Sequence, residues 1–503
     1  MDSQKIFVIN NSYMIGNDEK RLYITYRHHP KLIPFDKSGA DANFFSFLHP
    51  EVVKILTLFD GTADIPSIIE NTSEKLNISK EESEKLIFSI INNKKRIGIT
   101  YKGEKYVLPP KIIVPLIENE TFCIYSHEYI KCKTTDFSQA RLFKFPLDIT
   151  FMVNTMCFVD CIYCYADCRN RMDCIIPQNC IEKLIADCRK NGVRTFDLMG
   201  GEVFMYKNWQ WLIKKMTHYG FTPYISTKIP IPLKIICEIQ NLGIPILQIS
   251  LDSFEPTIIE KNLNITDGIN YIKKMRYTLE NARNKGLKIN IHSVITNYNK
   301  SITHLTKFIE ELSQYSNINS LQISIVGESL YKHGFQNIKL QQKDAMKLEQ
   351  FISENRTNYL ININFSSNYS KSMFFDDFNV KESKFRNRGL CTGNVRQVYI
   401  LPNGDVTICE ELMFHPKFIL GNIIQDDLQT IWKRNNLMYL EDINTYKNSI
   451  CGKCMSFDTC KKGIASKGVC WKEILHAYGE DKWNYPDPKC PYAPKKMNKF
   501  YIE

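Results

Sequence analysis

Between Pro146 and Val326 the chain alternates two patterns of apolar positions. Short runs rich in β-branched and aromatic residues, at Leu147–Val153, Thr195–Met199, Thr222–Ser226, Ile246–Leu251, Lys288–Ile295 and Leu321–Val326, predict strands. The stretches between them carry apolar residues at helical spacing. Each strand–helix step returns the chain to the same end of a sheet, so the region predicts an α/β domain with parallel strands. Six such steps suit a partial (β/α)6 barrel, TIM-like but open.

The segment before this region reads differently. Lys5–Asn10 and Arg21–Tyr26 alternate as short strands, and three helical patterns follow. Pro50 takes a first helical position ahead of Val52, Val53, Ile55, Leu56 and Phe59, and Asp60-Gly61 stops that helix. Asp64 with Pro66 opens the second, and Ser79 with Glu82 forms a capping box before Leu86, Ile87, Ile90 and Ile91. Strands with three short helices predict a small winged-helix-like α+β module. The predicted boundaries are 1–108 for this head, 109–145 for a linker, 146–335 for the barrel, 336–384 for a bridging region and 385–503 for the tail.

Composition adds one decisive feature. The N-terminus, MDSQKIFVINN, has no basic stretch leading into a long apolar one, and no apolar run reaches the length of a membrane span. A cytoplasmic protein with no membrane partner is expected. Lys and Arg are scattered, so the net charge of +11 does not by itself imply a nucleic-acid partner. The 17 cysteines are the unusual count, and in a reducing compartment they point to metal or redox chemistry rather than disulfides. None precedes Cys123, a dense group runs from Cys157 to Cys188, and after Cys237 a gap lasts until a second group from Cys391 to Cys490. A metal-free head, a cluster-bearing middle and a cluster-bearing tail follow.

After the first barrel strand comes Cys157-Phe-Val-Asp-Cys161-Ile-Tyr-Cys164. Three thiolates on one tight loop can hold three irons of a [4Fe–4S] cube and leave the fourth without a protein ligand, open to a chelating molecule. A zinc site is the alternative, with Cys168 or Cys174 as fourth ligand. The loop resembles the signature of the radical S-adenosylmethionine superfamily. That resemblance implies that Cys157, Cys161 and Cys164 bind a [4Fe–4S] cluster, that S-adenosylmethionine chelates its open iron, and that the backbone near Tyr163 lies along the adenine. It further implies reductive cleavage of the sulfonium to a 5′-deoxyadenosyl radical that takes a hydrogen atom from the substrate.

Polar groups at successive strand ends agree with an active site on one rim. Gly200-Gly201-Glu202 resembles the superfamily motif whose backbone and carboxylate receive the methionine amino group; a carboxylate suits an ammonium and glycines admit close approach. Ser226-Thr227-Lys228, Ser250-Leu251-Asp252 and Thr296-Asn297 end later strands, with Thr227 and Ser250 as candidate cofactor contacts or plain strand-end hydrogen bonds. Relatives commonly have Thr-Asn-Gly at the third strand end, and Lys228 departs from it. Cys188, at helical spacing from Leu184 and Ile185, reads as a core thiol, and Cys168 and Cys174 as inert or as hydrogen-atom donors.

In the tail, Cys391 is followed after twelve residues by Gly404 and after four more by Cys409; then come Cys451, Cys454, Cys460, Cys470 and Cys490. This resembles the SPASM domain, which implies one or two auxiliary [4Fe–4S] clusters; a structural zinc ribbon is the alternative. Ile464 stands where relatives with the full pattern have a cysteine. By the resemblance, Cys451, Cys454, Cys460 and Cys490 serve one cluster and Cys391, Cys409 and Cys470 the other, with one auxiliary iron open or held by a non-cysteine ligand. Glu410 falls where sulfatase-maturing relatives carry an acidic general base, or is a solvated carboxylate.

The head, from His49-Pro50-Glu51 through Asp60-Gly61-Thr62 and the later helices, resembles the peptide-binding chaperone of pyrroloquinoline quinone biosynthesis. That family implies a leader peptide added as a strand beside the third strand, here Arg21–Tyr26. The three resemblances together imply a maturase that crosslinks a ribosomally made precursor peptide, by thioether, carbon–carbon or another bridge, with a flavodoxin- or ferredoxin-like electron donor. A sulfatase-maturase-like enzyme oxidising Cys or Ser of a protein, an iron–sulfur regulator binding nucleic acid, and a cluster-holding peptide carrier that does not turn over are the alternatives.

Overall fold

All three head helices form, each started by the residue that caps it. The computed structural model describes residues 5–494 apart from 33–38, 118–121, 126–129, 131, 168–170, 333, 367–377 and 465. In α1 (Pro50–Leu56) the His49 ring accepts from the Glu51 N–H at 3.1 Å. In α2 (Ile65–Leu76) Asp64 accepts from the Ser67 N–H at 2.9 Å, and in α3 (Lys80–Ile91) Ser79 and Glu82 make the reciprocal capping box.

The head strands are β1 (Phe7–Ile9), β2 (Tyr13–Asn17), β3 (Leu22–Tyr26), β4 (Phe45–Leu48), β5 (Ile97–Tyr101), β6 (Glu104–Leu108) and β7 (Ile113–Pro115). They pair antiparallel as β1-β7, β2-β3-β4 and the hairpin β5-β6 that follows α3. Two expectations change here. The strand expected to receive a peptide, Arg21–Tyr26, is central, with β2 and β4 on its two edges, so it has no room for another strand. Residues 109–145, expected as a linker, belong to the first of two units, Met1–Phe145 and Pro146–Glu503. β7 closes on β1, and Tyr125, Ile130 and Phe137 pack on the head's core.

Arg21 explains why that segment is held. Its side chain is fully buried, pairs with buried Asp18 at 2.9 Å, and donates to the carbonyls of Asp136, Gln139 and Arg141. The guanidinium also lies 3.8 Å from the centre of the Phe47 ring. Five donors in a fixed fork suit several carbonyls at once, as a lysine would not.

In the second unit the predicted alternation holds: β8 (Asp148–Met152), α4 (Gln178–Lys190), β9 (Thr195–Met199), α5 (Trp209–His218), β10 (Ser226–Thr227), α6 (Leu233–Asn241), β11 (Ile246–Ser250), α7 (Pro256–Leu263), α8 (Gly268–Lys285), β12 (Lys288–Ile295), α9 (Ile302–Leu312) and β13 (Ile318–Ile325). The strands run parallel in this order, β9 reaching β10 through a single bridge from Leu198 to Ile225. The third strand is shorter than expected because Pro223 has no N–H to give a ladder. Two further parallel strands extend the barrel. β14 (Asn362–Ser366), in the expected bridging region, joins β13, and β15 (Gln397–Ile400) joins β8 from the other side. β15 turns through Pro402–Gly404 into β16 (Asp405–Thr407), which pairs with β17 (Ile419–Asn422) and ties the tail to the barrel sheet. Among the described residues no helix is long and apolar enough to cross a membrane.

The ion pair gives a stability prediction. Arg21→Ala would leave the Asp18 carboxylate buried and unpaired, and is expected to lower the stability of residues 1–145 by about 3–5 kcal/mol. Hydrogen exchange of the helix amides under rising urea measures it, and a loss below about 1 kcal/mol, typical of a surface pair, would contradict this role.

Candidate active site and cluster-binding cavities

The cysteine loop leaves β8 and is pinned from several sides. The N–H groups of Asp160 and Ile162 donate to the carbonyls of Leu263 and Asn262 at the end of α7, at 3.2 and 3.0 Å. Lys332 Nζ reaches the Asp160 carboxylate at 2.7 Å and the Cys161 carbonyl at 2.6 Å. Cys157, Cys161 and Cys164 all line one cavity of about 320 Å³ at the ends of the strands. Burial pushes the Cys161 thiol up to about 12 and raises Cys157 as well.

Gly200, Gly201, Tyr163, Thr227 and Ser250 line the same cavity. The glycine turn is stitched to Asn154, whose carbonyl accepts from the Gly201 N–H at 2.9 Å and whose amide donates to the Glu202 carbonyl at 2.9 Å. A Cβ on Gly201 would stand 2.0 Å from the Met156 carbonyl oxygen, so only glycine fits beside the loop. Glu202 has partners that its sequence neighbourhood does not show. Its carboxylate accepts from the Thr227 hydroxyl at 2.9 Å and from the N–H groups of Lys228 and Phe204, each at 3.2 Å. It is 1% exposed, and burial pushes its carboxyl up to about 7. Glu202 thus braces the second and third strand ends, leaving the glycine backbone to face the cavity, and the Thr227 hydroxyl is engaged in the same brace. Ser250 Oγ accepts from Gln248 at 2.8 Å, which leaves its own hydrogen to donate.

Lys228 and Asp252 were not among the predicted site residues. The Lys228 ammonium bonds the Tyr163 hydroxyl at 2.5 Å and the Asp252 carboxylate at 3.3 Å, and the Tyr163 hydroxyl donates to Asp252. This anchors the aromatic residue of the cysteine loop to the third and fourth strand ends. Its signal in the sequence was the departure of Lys228 from the usual Thr-Asn-Gly.

In the tail, Cys451, Cys454, Cys460 and Cys490 line a second cavity of about 230 Å³. Cys391, Cys409 and Cys470 are placed by other contacts. The Cys391 N–H bonds the Lys467 carbonyl at 2.9 Å, the Cys470 N–H bonds Asp487 at 3.0 Å, and Cys409 lies near enough to Cys470 for their charges to interact. Glu410 is a half-buried wall of the first cavity, accepting from the Tyr165 hydroxyl at 3.2 Å. Cys188 is buried on α4. Cys168 lies outside the described residues. No three His, Cys, Asp or Glu side chains among the described residues converge tightly enough to hold one metal ion; the cysteines frame cavities instead.

Two family models match the chain: the radical SAM superfamily over residues 152–309 and the SPASM iron-sulfur cluster-binding domain over residues 391–455. The chain carries a radical SAM domain followed by a SPASM domain. The first binds a [4Fe–4S] cluster with S-adenosylmethionine, and the second binds auxiliary iron–sulfur clusters. A probable GTP 3′,8-cyclase of Sulfolobus acidocaldarius is 24% identical over 192 residues, 37% of this chain and 60% of that protein. An uncharacterized protein of Treponema pallidum is 34% identical over 64 residues, 13% of this chain and 18% of that one. The chain therefore matches less than two thirds of either relative's length. Among solved structures, Streptococcus suis SuiB has a TM-score of 0.61 at 16% identity, covering 95% of this chain and 98% of SuiB. SuiB bound to its precursor peptide SuiA has a TM-score of 0.59 at 15% identity, covering 96% and 100%. At such identity the likeness is one of fold.

The residues fit these groups. The radical SAM domain brings three sulfurs to a cavity that Gly200, Gly201 and Ser250 also line. The SPASM region surrounds a second cavity with four sulfurs. Close packing of Gly201 on Met156 yields a prediction. Gly201→Ala must displace the residue just before Cys157, and is expected to weaken S-adenosylmethionine binding at least tenfold, about 1.4 kcal/mol. Equilibrium dialysis against the reconstituted protein measures this, and unchanged affinity would contradict the close approach.

Proposed function

We propose that this protein is a maturase of ribosomally made precursor peptides, holding the leader on residues 1–145 and crosslinking core side chains in the radical SAM cavity. The observation that carries the reading is the shared wall: Cys157, Cys161, Cys164 and Glu410 line one space, so the radical SAM loop and the SPASM region face the same substrate. The full-length likeness in fold to SuiB, whose structure holds a precursor peptide, supports a peptide over a small molecule.

In this reading Cys157, Cys161 and Cys164 hold the cluster, and Gly200, Gly201 and Ser250 receive S-adenosylmethionine with Tyr163 beside it. Bound there, they supply removal of a hydrogen atom from the substrate. Forming a bridge also releases a proton and an electron: Glu410 would take the proton, with the Tyr165 hydroxyl steadying the carboxylate, and an auxiliary cluster would take the electron. Lys472, 5% exposed, binds Glu411 at 3.1 Å and Glu473 at 2.8 Å and fixes the backbone beside Glu410. Cys451, Cys454, Cys460 and Cys490 hold one auxiliary cluster and Cys391, Cys409 and Cys470 the other. A flavodoxin- or ferredoxin-class protein supplies electrons.

The leader role is read for the head as a whole, on its resemblance to the peptide-binding chaperone family. Within its three-stranded sheet β3 is central, and the outer edge of β2 is occupied: the Ile15 N–H donates to the Tyr125 hydroxyl at 3.1 Å, and the Tyr13 carbonyl accepts from Arg27 at 2.9 Å.

The test uses a leader-bearing precursor peptide and mass spectrometry. The full chain is expected to remove two hydrogens per bridge. Removing residues 1–145 should lower kcat/KM for the leader-bearing peptide at least tenfold, mainly through KM, while cofactor cleavage without peptide stays near normal. Equal processing of that peptide by the shortened chain would remove the leader-binding role of residues 1–145. S-adenosylmethionine cleavage with no change in any peptide's mass would remove the maturase reading.

A further inference from the structure

Lys461 ends the short helix Phe457–Lys461 and is 7% exposed, yet its ammonium has no hydrogen-bond partner among the described residues. It lies 4.5 Å from the centre of the Tyr446 ring and 4.7 Å from that of Trp471. Aromatic faces attract a cation but supply none of the acceptors its three donors require. Of the carboxylates lining the same cavity, Asp487 is near enough for its charge to act on Lys461, but neither hydrogen-bonds the ammonium. Asp487 accepts from the N–H groups of Cys470 at 3.0 Å and Lys489 at 2.9 Å, and Glu382 pairs with Arg386 at 2.8 Å. What Lys461 does share is the 230 Å³ cavity of Cys451, Cys454, Cys460 and Cys490.

A second cation borders that cavity. Arg388 Nη2 is 3.4 Å from Cys460 Sγ. The guanidinium is fixed by the Gly468 carbonyl, at 3.0 Å from Nε and 2.5 Å from Nη2, and stacks 3.9 Å from the centre of the Phe385 ring. Isolated charge inside a protein is costly, so a buried ammonium implies an anion opposite it. Four thiolates around an iron–sulfur cube form such an anion, with sulfurs able to accept hydrogen bonds, and one-electron reduction adds a further negative charge. A fixed cation at this range therefore stabilises the reduced form more than the oxidised one.

We propose that Lys461, with Arg388 on the neighbouring wall, is the built-in counter-cation of the auxiliary cluster held by Cys451, Cys454, Cys460 and Cys490, and raises its reduction potential so that it readily takes an electron. This rests on the reading that those four cysteines hold a cluster. Lys461 acts on potential through charge and is a positioning residue, not a catalytic one.

The test is a redox titration of the full, anaerobically reconstituted chain followed by electron paramagnetic resonance. Lys461→Met keeps the stem and removes the charge. At a set potential the reduced-to-oxidised ratio of one cluster should fall at least tenfold, a shift of about 59 mV to more negative potential for one electron, with the other transitions unmoved. Lys461→Arg keeps the charge, and should retain full iron at the wild-type potential even if Lys461→Met loses the iron of this cavity. Unmoved potentials in Lys461→Met at full iron content would overturn the proposal, as would iron loss in both variants or an Arg variant shifted as far as the Met variant. The measurement needs no peptide, so it stands apart from whether a precursor is modified. Iron content that does not fall by one cluster in Cys454→Ala would instead remove the ligand assignment on which the proposal rests.

Discussion

The second unit depends on where three sulfurs can be held still. A loop carrying Cys157, Cys161 and Cys164 has no regular hydrogen bonding of its own, so its shape comes from neighbours: the end of α7, Lys332 on Asp160 and the Cys161 carbonyl, and the Lys228–Asp252 pair on Tyr163. The anchors come from the end of α7, from the loop after β13 and from just past β10 and β11, distant stretches of chain that a barrel brings together. The second and third strand ends are locked in turn by Glu202, buried between them. A site pinned this way keeps its geometry when a cofactor arrives and does not have to assemble around it.

Buried charge is the recurring device. Arg21 with Asp18 closes the head, Lys228 with Asp252 supports the cysteine loop, and Lys472 with Glu411 and Glu473 secures the wall beside Glu410. In each case the charge has a carboxylate and further hydrogen bonds, as low-dielectric surroundings require. Lys461 is the contrast: it has no hydrogen-bonded carboxylate, and beside the more distant Asp487 its neighbours are aromatic rings and ligand-type sulfurs.

Much of this was legible in the residues. β8, β9, β11, β12 and β13 announced themselves as apolar runs, and Asp64 and the Ser79–Glu82 box marked their helices because capping is local chemistry. β14 was hidden because Asn362 and Asn364 interleave its apolar residues, and β15 because its four residues gain their meaning only from pairing with β8. The 109–145 segment looked like a linker since its role is to offer carbonyls to Arg21, and a carbonyl leaves no mark in a sequence. The bracing contacts of Glu202 were hidden for a related reason. Residue type showed a carboxylate beside two glycines, whereas its direction is set by Thr227 and the Lys228 N–H, 25 and 26 residues later. Long-range partners of this kind are also why Lys228 appeared only as a departure from pattern.

The central claim is that the three-cysteine loop leaves one iron free for S-adenosylmethionine. Release of 5′-deoxyadenosine by anaerobically reconstituted protein under a strong reductant tests it most directly. The expected result is release from the intact chain and none from Cys161→Ala. Intact S-adenosylmethionine after incubation with fully iron-loaded, reduced protein would contradict it.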